Sequence, residues 1–380
     1  MDYSLMYKLA FSLFSTDPRN MRWFNWKRLL VILIMLPLFM ILLVINRCFL
    51  FLDTLLFPQF QQQKITNPVF IIAAPRSATT YLYHLLAADT THFTSFRLWE
   101  IIFAPSIVQK YFFIGFFKID KLAGSPVKKI TLFMEKKIFG DFTRIHQIGL
   151  NLPEEDEAIL IWNMSTIYLN FFFPDTNHFS DYFAFDSTMP ELSKKRIMQF
   201  YAGCVLRHNY VYNRDGSKRF LSKNPAMMAK VESLHQLYPD ATVLNINRCP
   251  DSTIPSTIAL NNNIYRFFTS RQSSKDMDNK TKDILVEWYK MAEMNLESYF
   301  LQQTIKICFK KLILGDEATR KIVCDRLGLD NNIFMEADNS DLKKIDHKSS
   351  NTYVKLNDIE LAVVLKKIPF MSAYCTSIKN

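Results

Sequence analysis

Seven residues, Pro68-Val-Phe-Ile-Ile-Ala-Ala74, carry no polar side chain. A polar turn follows at once, Pro75-Arg-Ser-Ala-Thr-Thr80, and then Tyr81-Leu-Tyr-His-Leu-Leu-Ala-Ala88, which has helical character. A short apolar run rich in β-branched and aromatic residues reads as a strand buried on both faces. Such a strand needs helices above and below it, so strand, tight loop and helix together open a parallel α/β sheet. No other feature of the chain restricts its fold as much.

Later segments repeat the pattern. Arg219–Ser222 reads as a strand leading into Lys223-Asn-Pro225, and Met227–Leu237 as a helix stopped by Tyr238-Pro-Asp240. Thr242–Asn247 is a further strand, ending at Arg248-Cys-Pro-Asp251 with a helix from about Thr253. Ile305–Phe309 reads as the last strand and Glu317–Leu327 as its helix, while Asp186–Leu206 and Ala158–Phe173 read as helical, the latter buried. The expected fold class is α/β, a three-layer sandwich around a central parallel sheet, with ligands at the carboxyl ends of the strands.

The first sixty residues differ in kind. Leu29–Ile45 is a run without a polar side chain, broken only by Pro37, and apolar character resumes from Cys48 to Leu56 around Asp53. A membrane span needs about 17–25 apolar residues, which this run meets. Arg19, Arg22, Lys27 and Arg28 precede it, with Trp23 and Trp26 where interfacial anchors belong, so the positive-inside rule puts the N-terminus in the cytoplasm. A cleavable signal peptide fits poorly, because the run starts late and has no small-residue exit site. Residues 29–57 are expected to cross the membrane once, to form a hairpin kinked at Pro37, or to lie as a helix in the interface. Pro58–Asn67 is polar and reads as a linker to a domain over 61–380.

Composition narrows the chemistry. Forty-six Lys and Arg against 36 Asp and Glu leave a net charge of +10, which suits anionic partners without choosing among them. The six cysteines show no C-x-x-C, so a zinc ribbon is not expected and no metal site is assigned, while a disulfide stays open. At Pro75–Thr80 a helix N-terminus offers unpaired backbone N–H groups and a positive dipole end; Ser77, Thr79 and Thr80 add hydroxyls, and Arg76 a forked cation. The glycines and lysine of a Walker A loop are absent. Arg248 ends a buried strand and Ser256 stands two helical turns on, near enough to share one phosphate.

Together these segments resemble sulfotransferases that use 3′-phosphoadenosine 5′-phosphosulfate, in their membrane-linked and bacterial branch. FIIAAPRSATTYLYHLLA is similar to their 5′-phosphosulfate loop, PR(S/T)GTT before a helix, and YPDATVLNINRCPDSTIPSTIAL to their 3′-phosphate segment. RFLSKNPAMM, RIHQIGLNLPEEDEA and ILGDEATRKIVCDRLGL resemble further stretches, so the likeness covers about residues 68–360. It implies that Arg76, Ser77, Ala78, Thr79 and Thr80 hold the 5′-phosphosulfate, that Arg248 and Ser256 hold the 3′-phosphate, and that Lys223 sits near the bridging oxygen. Ala78 stands where most relatives have glycine.

The implied reaction moves a sulfuryl group to a hydroxyl of a lipid, glycan or small-molecule acceptor, with no metal and no nucleic-acid partner. Glu100 is the expected base, its pKa raised by burial beside Trp99, and His146 is the rival. The acidic run Glu154–Glu157 reads most simply as a complement to a helix dipole, with orientation of an acceptor as the alternative. A P-loop-like nucleotide or small-molecule kinase on the same plan and an inactive membrane-anchored homologue are the competing classes. The missing Walker residues weigh against the first, and the retained Arg76, Lys223 and Arg248 against the second.

Overall fold

The computed structural model describes residues 26–139, 149–171, 177–269, 273–330, 334 and 353–375. Its centre is a five-stranded parallel sheet in the order β2-β3-β1-β4-β5, with β1 Val69–Ile72, β2 Phe93–Thr94, β3 Arg219–Lys223, β4 Thr242–Asn247 and β5 Thr304–Cys308. Val69 pairs with Leu221 on one side and Thr242 on the other, so β1 has a partner along both edges. All four of its residues are buried, as its unbroken apolar sequence requires.

Alternation along the strands separates two cores. Val69, Ile71, Leu221 and Leu244 face a layer that includes α2 (Thr79–Ala88) and α11 (Glu317–Leu327). Phe70, Ile72, Phe220 and Val243 face the opposite layer, built from α6 (Glu191–Tyr212), α7 (Val231–Leu237) and α9 (Lys275–Tyr299). The three-layer α/β sandwich expected from the sequence is therefore present. Neighbouring strands branch to either side of β1, which makes a crevice at the carboxyl ends of β1, β3 and β4.

Some local expectations change. Residues 158–171 do not form a helix: Asp156–Asn163 and Ile167–Phe171 are short 3₁₀ turns. The helical stretch from Asp186 is broken before Pro190, whose ring cannot extend a preceding turn, and restarts as α6. Residues 58–67 are not a free linker. Pro58–Gln62 forms a 3₁₀ turn whose buried Phe60 lies under the Arg207 guanidinium at 4.1 Å.

The apolar N-terminal run forms one continuous helix, α1 (Trp26–Leu56), passing through Pro37 without reversing, so the hairpin is not formed. Residues Leu33–Leu56 are long and apolar enough to cross a membrane. After β2 come α3 (Leu98–Phe103), α4 (Ile107–Leu122) and α5 (Pro126–Phe139). The helix after β4 is α8 (Pro250–Thr269), and α10 (Phe309–Leu314) follows β5. Near the C-terminus, α12 (Asp358–Lys367) leads into a 3₁₀ turn, Pro369–Tyr374.

Candidate active site

The loop after β1 turns with Arg76 and Ala78 both in the left-handed region, at φ 66° and 59°. Those two residues swing the chain from the strand end into the first turn of α2, where Ala78 is the N-cap. Because alanine offers no capping oxygen, the N-cap side chain satisfies none of the first amides of α2. Ser77 is fully buried, and its hydroxyl has no hydrogen-bond partner. A buried, unpaired hydroxyl among uncapped helix amides costs free energy unless something accepts from it. That is the requirement a bound phosphate or sulfuryl oxygen meets.

The second cationic turn meets the first directly. Arg76 Nε donates to Ser256 Oγ at 3.1 Å, and Arg248 Nη1 donates to the carbonyl oxygen of Arg76. Ser256 lies on the α8 face reached from the end of β4, as the two-turn spacing anticipates. Arg248 is held further by Tyr353, whose hydroxyl oxygen accepts at 2.8 Å, and by the Phe309 ring at 4.3 Å. The two segments, 172 residues apart in sequence, thus form one wall.

Lys223, at the end of β3, is buried and donates to Thr80 Oγ1 at 3.0 Å. Its ammonium also lies 2.8 Å from Glu155 Oε1 and 3.9 Å from Glu154 Oε1. The acidic run is therefore not a simple dipole complement. Glu155 faces Lys223 and accepts from the Tyr168 hydroxyl, whereas Glu157 is buried 2.6 Å from Lys230 and accepts from Asn224 and Thr166. Asp156 accepts from Tyr201 at 2.5 Å. The first two acids of the run thus face Lys223 and the last two face the core.

The turn is fastened on both sides. Glu154 N donates to Phe96 O, Leu98 N to Leu152 O and Trp99 N to Leu150 O. On α2, Tyr83 OH donates to Glu154 O at 3.4 Å and His84 Nε2 lies 3.1 Å from Pro153 O. The sequence reading named Glu155 only as one member of the acidic run and did not anticipate its pairing with Lys223. Its signal was four successive acids behind Pro153 in a strongly apolar stretch, where charge on a buried turn calls for cationic partners.

Glu100 has other company. It caps α3, accepting from Arg97 N at 2.9 Å, and its second oxygen lies 3.3 Å from His208 Nδ1 and 4.0 Å from Lys110 Nζ. Burial acts to raise its pKa, but the charges of His208 and Lys110 outweigh that and hold it below the usual carboxylate range. The expected upward shift is not found. His146 lies outside the described residues. Among the described residues no cluster of His, Cys, Asp and Glu has the makings of a metal site.

Comparison with known proteins bears on the family and the fold. Residues 68–332 match the model of the sulfotransferase family. Two curated relatives, both named omega-hydroxy-beta-dihydromenaquinone-9 sulfotransferase Stf3, from Mycobacterium bovis and Mycobacterium tuberculosis, are each 23% identical over 270 residues. That alignment covers 69% of this chain but only 63% of theirs. Among solved structures, the fold is similar to sulfotransferase STF1 of M. tuberculosis, with a TM-score of 0.62 and 14% identity over 86% of this chain and 82% of that one. It is also similar to STF9 of Mycobacterium avium, with a TM-score of 0.63 and 13% identity over 87% and 83%.

Proposed function

Because the chain belongs to the sulfotransferase family, we propose that it moves a sulfuryl group from 3′-phosphoadenosine 5′-phosphosulfate to the hydroxyl of a membrane lipid. The observation that carries the reading is the joint between the two cationic turns, Arg76 to Ser256 and Arg248 to Arg76, with the orphaned Ser77 hydroxyl beside it. In this reading Ser77, Thr79, Thr80, Arg76 and the uncapped amides of α2, with Ala78 among them, hold the 5′ end. Arg248 and Ser256 take the 3′-phosphate. A lipid acceptor fits the apolar helix α1 and the lipid substrate named for the curated relatives.

The chemistry is an in-line displacement at sulfur. The acceptor oxygen forms a bond to sulfur as the bond to the bridging phosphate oxygen breaks, and charge moves onto the leaving phosphate. Lys223, Arg76 and the α2 N-terminus are cationic where that charge develops. Glu155, a partly exposed carboxylate on Lys223, takes the acceptor's proton, and the Lys223–Glu155 pair opens to admit the sulfuryl group between them. Glu100 and His146 are the other candidate bases.

The test measures transfer of labelled sulfate from the donor to lipid extracts, beside the thermal shift given by 3′-phosphoadenosine 5′-phosphate. Wild type should form product and be stabilised by that nucleotide but not by ATP, whereas Arg76→Ala should form none. Glu155→Gln should keep the thermal shift while its rate falls by about 10²–10⁴. Product from Arg76→Ala at the wild-type rate would remove the donor loop, and a wild-type rate in Glu155→Gln would remove the base.

A further inference from the structure

Helix α1 does not stand apart from the domain. Phe39 stacks on Trp162 at 5.7 Å, and Leu43, Asn46, Leu50 and Asp53 are buried at three- and four-residue intervals along one face. The polar residues of this stretch all turn inward. Asn46 donates to Ile102 O and accepts from Gln109, Arg47 donates to Asn163, and Asp53 accepts from Arg207 and from the first amides of α4. Polar groups at membrane depth must be satisfied within the protein, and these are. The outer face, including Leu33, Ile41 and Phe51, is exposed. A helix docked in this way cannot enter a bilayer without the elements beside it.

The element beside it is α4, which Asp53 caps. A turn at 123–125 joins α4 to α5, and Asp120 braces it by accepting from Val127 N and Lys128 N. The outer surface of this pair is strongly apolar: Phe112 is 65% exposed, Ile119 66%, Leu122 88%, Ile130 63% and Phe133 67%. Lys118, Lys121, Lys128 and Lys129 are exposed around the turn. Soluble monomers rarely show so large an apolar patch. Lysines interleaved with bulky apolar side chains are the composition of a helix lying in a membrane interface, with the cations on anionic headgroups.

We propose that α4 and α5 form a second membrane-seated element, which with the outer face of α1 holds the domain flat against one leaflet. Their apolar side chains enter the headgroup–acyl boundary by about 5–10 Å. The inference rests on the membrane-lipid reading above and gives it a geometry. Glu135 of α5 accepts from Leu150 N at 2.8 Å, and Trp99, bonded to Leu150, packs on Phe113 and Phe117 of α4. The loop that ends at Glu155 is thereby fastened to the bilayer-facing pair.

Depth-dependent quenching decides it. The full chain, with Cys48→Ser and Cys308→Ser as background, carries a single environment-sensitive label at Phe112→Cys, Phe133→Cys, Leu36→Cys or Leu314→Cys. It is reconstituted into phosphatidylcholine–phosphatidylglycerol vesicles containing spin-labelled lipid. Quenching of about threefold is expected at 112 and 133, as at Leu36 on α1, with none at the exposed Leu314. Quenching at 36 alone overturns the inference and leaves membrane association through α1 intact, whereas quenching at none of the four overturns both. Labels at 112 and 133 shielded from lipid and from aqueous iodide alike would mean that a second copy covers the pair, which also overturns it. Where a label at 112 prevents folding, Ile119→Cys and Ile130→Cys report on the same surface.

Discussion

Arg76 and Ala78 adopt backbone conformations that glycine takes without a steric cost, and neither is glycine. A left-handed conformation costs a residue with a Cβ about 1–2 kcal/mol. Ala78→Gly should therefore stabilise the chain by about 1 kcal/mol, read as a raised midpoint of thermal unfolding. An unchanged or lowered midpoint would mean that the loop relaxes to negative φ. Asp156 gives a pH signature. Burial, with the neighbouring Glu157 adding to it, pushes its pKa up to about 7 against the opposing hydrogen bond from Tyr201. The folded chain then keeps a proton that the unfolded chain loses near pH 4, so stability falls as pH rises from about 4 to 7. Asp156→Asn should show a flatter profile across that window in denaturant titrations, and an identical slope would show that Asp156 is not the group titrating.

Among the elements, the C-terminal end of α1 is joined to the domain through one carboxylate. Asp53 interrupts the apolar run, accepts from Ile107 N and Val108 N at the head of α4, and pairs with Arg207 at 2.9 Å. Removing one partner of a buried pair strands the other. Asp53→Ala should cost about 3–5 kcal/mol and open α1 to protease cleavage before the rest of the domain. Cleavage at the wild-type rate would show that α1 is held by its apolar contacts. At this scale four of the five strands were legible from local pattern, β1 most clearly because a strand buried on both faces is continuously apolar, while the two-residue β2 was not foreseen. The segment after Pro153 misled for the same reason: its apolar residues serve a core, but the acids pair with Lys223 and Lys230, whose positions come from β3 and the turn after it. No local period encodes a partner some seventy residues away.

For the whole molecule, the C-terminal segment returns to the candidate donor wall. Cys375 is disulfide-bonded to Cys249, the neighbour of Arg248, closing 126 residues of chain, and the other four cysteines are free. Such a bond persists in an oxidising compartment. Maleimide labelling of the denatured protein should modify four thiols without reductant and six with it, whereas six in both would mean that the bond is not formed. Cys375→Ser should cost about 2–4 kcal/mol in unfolding free energy.

The sequence by itself determined the α/β sandwich, the polar turn that leads from β1 into a helix and the apolar N-terminal helix, because each follows from side chains adjacent along the chain. Only the tertiary structure decided which carboxylate meets Lys223, that Arg76 and Arg248 share one wall, that Cys249 finds Cys375, and that α1 lies against α4. These are contacts between segments far apart in sequence. They are fixed by how strands and helices pack, which alternation and spacing within one segment do not specify.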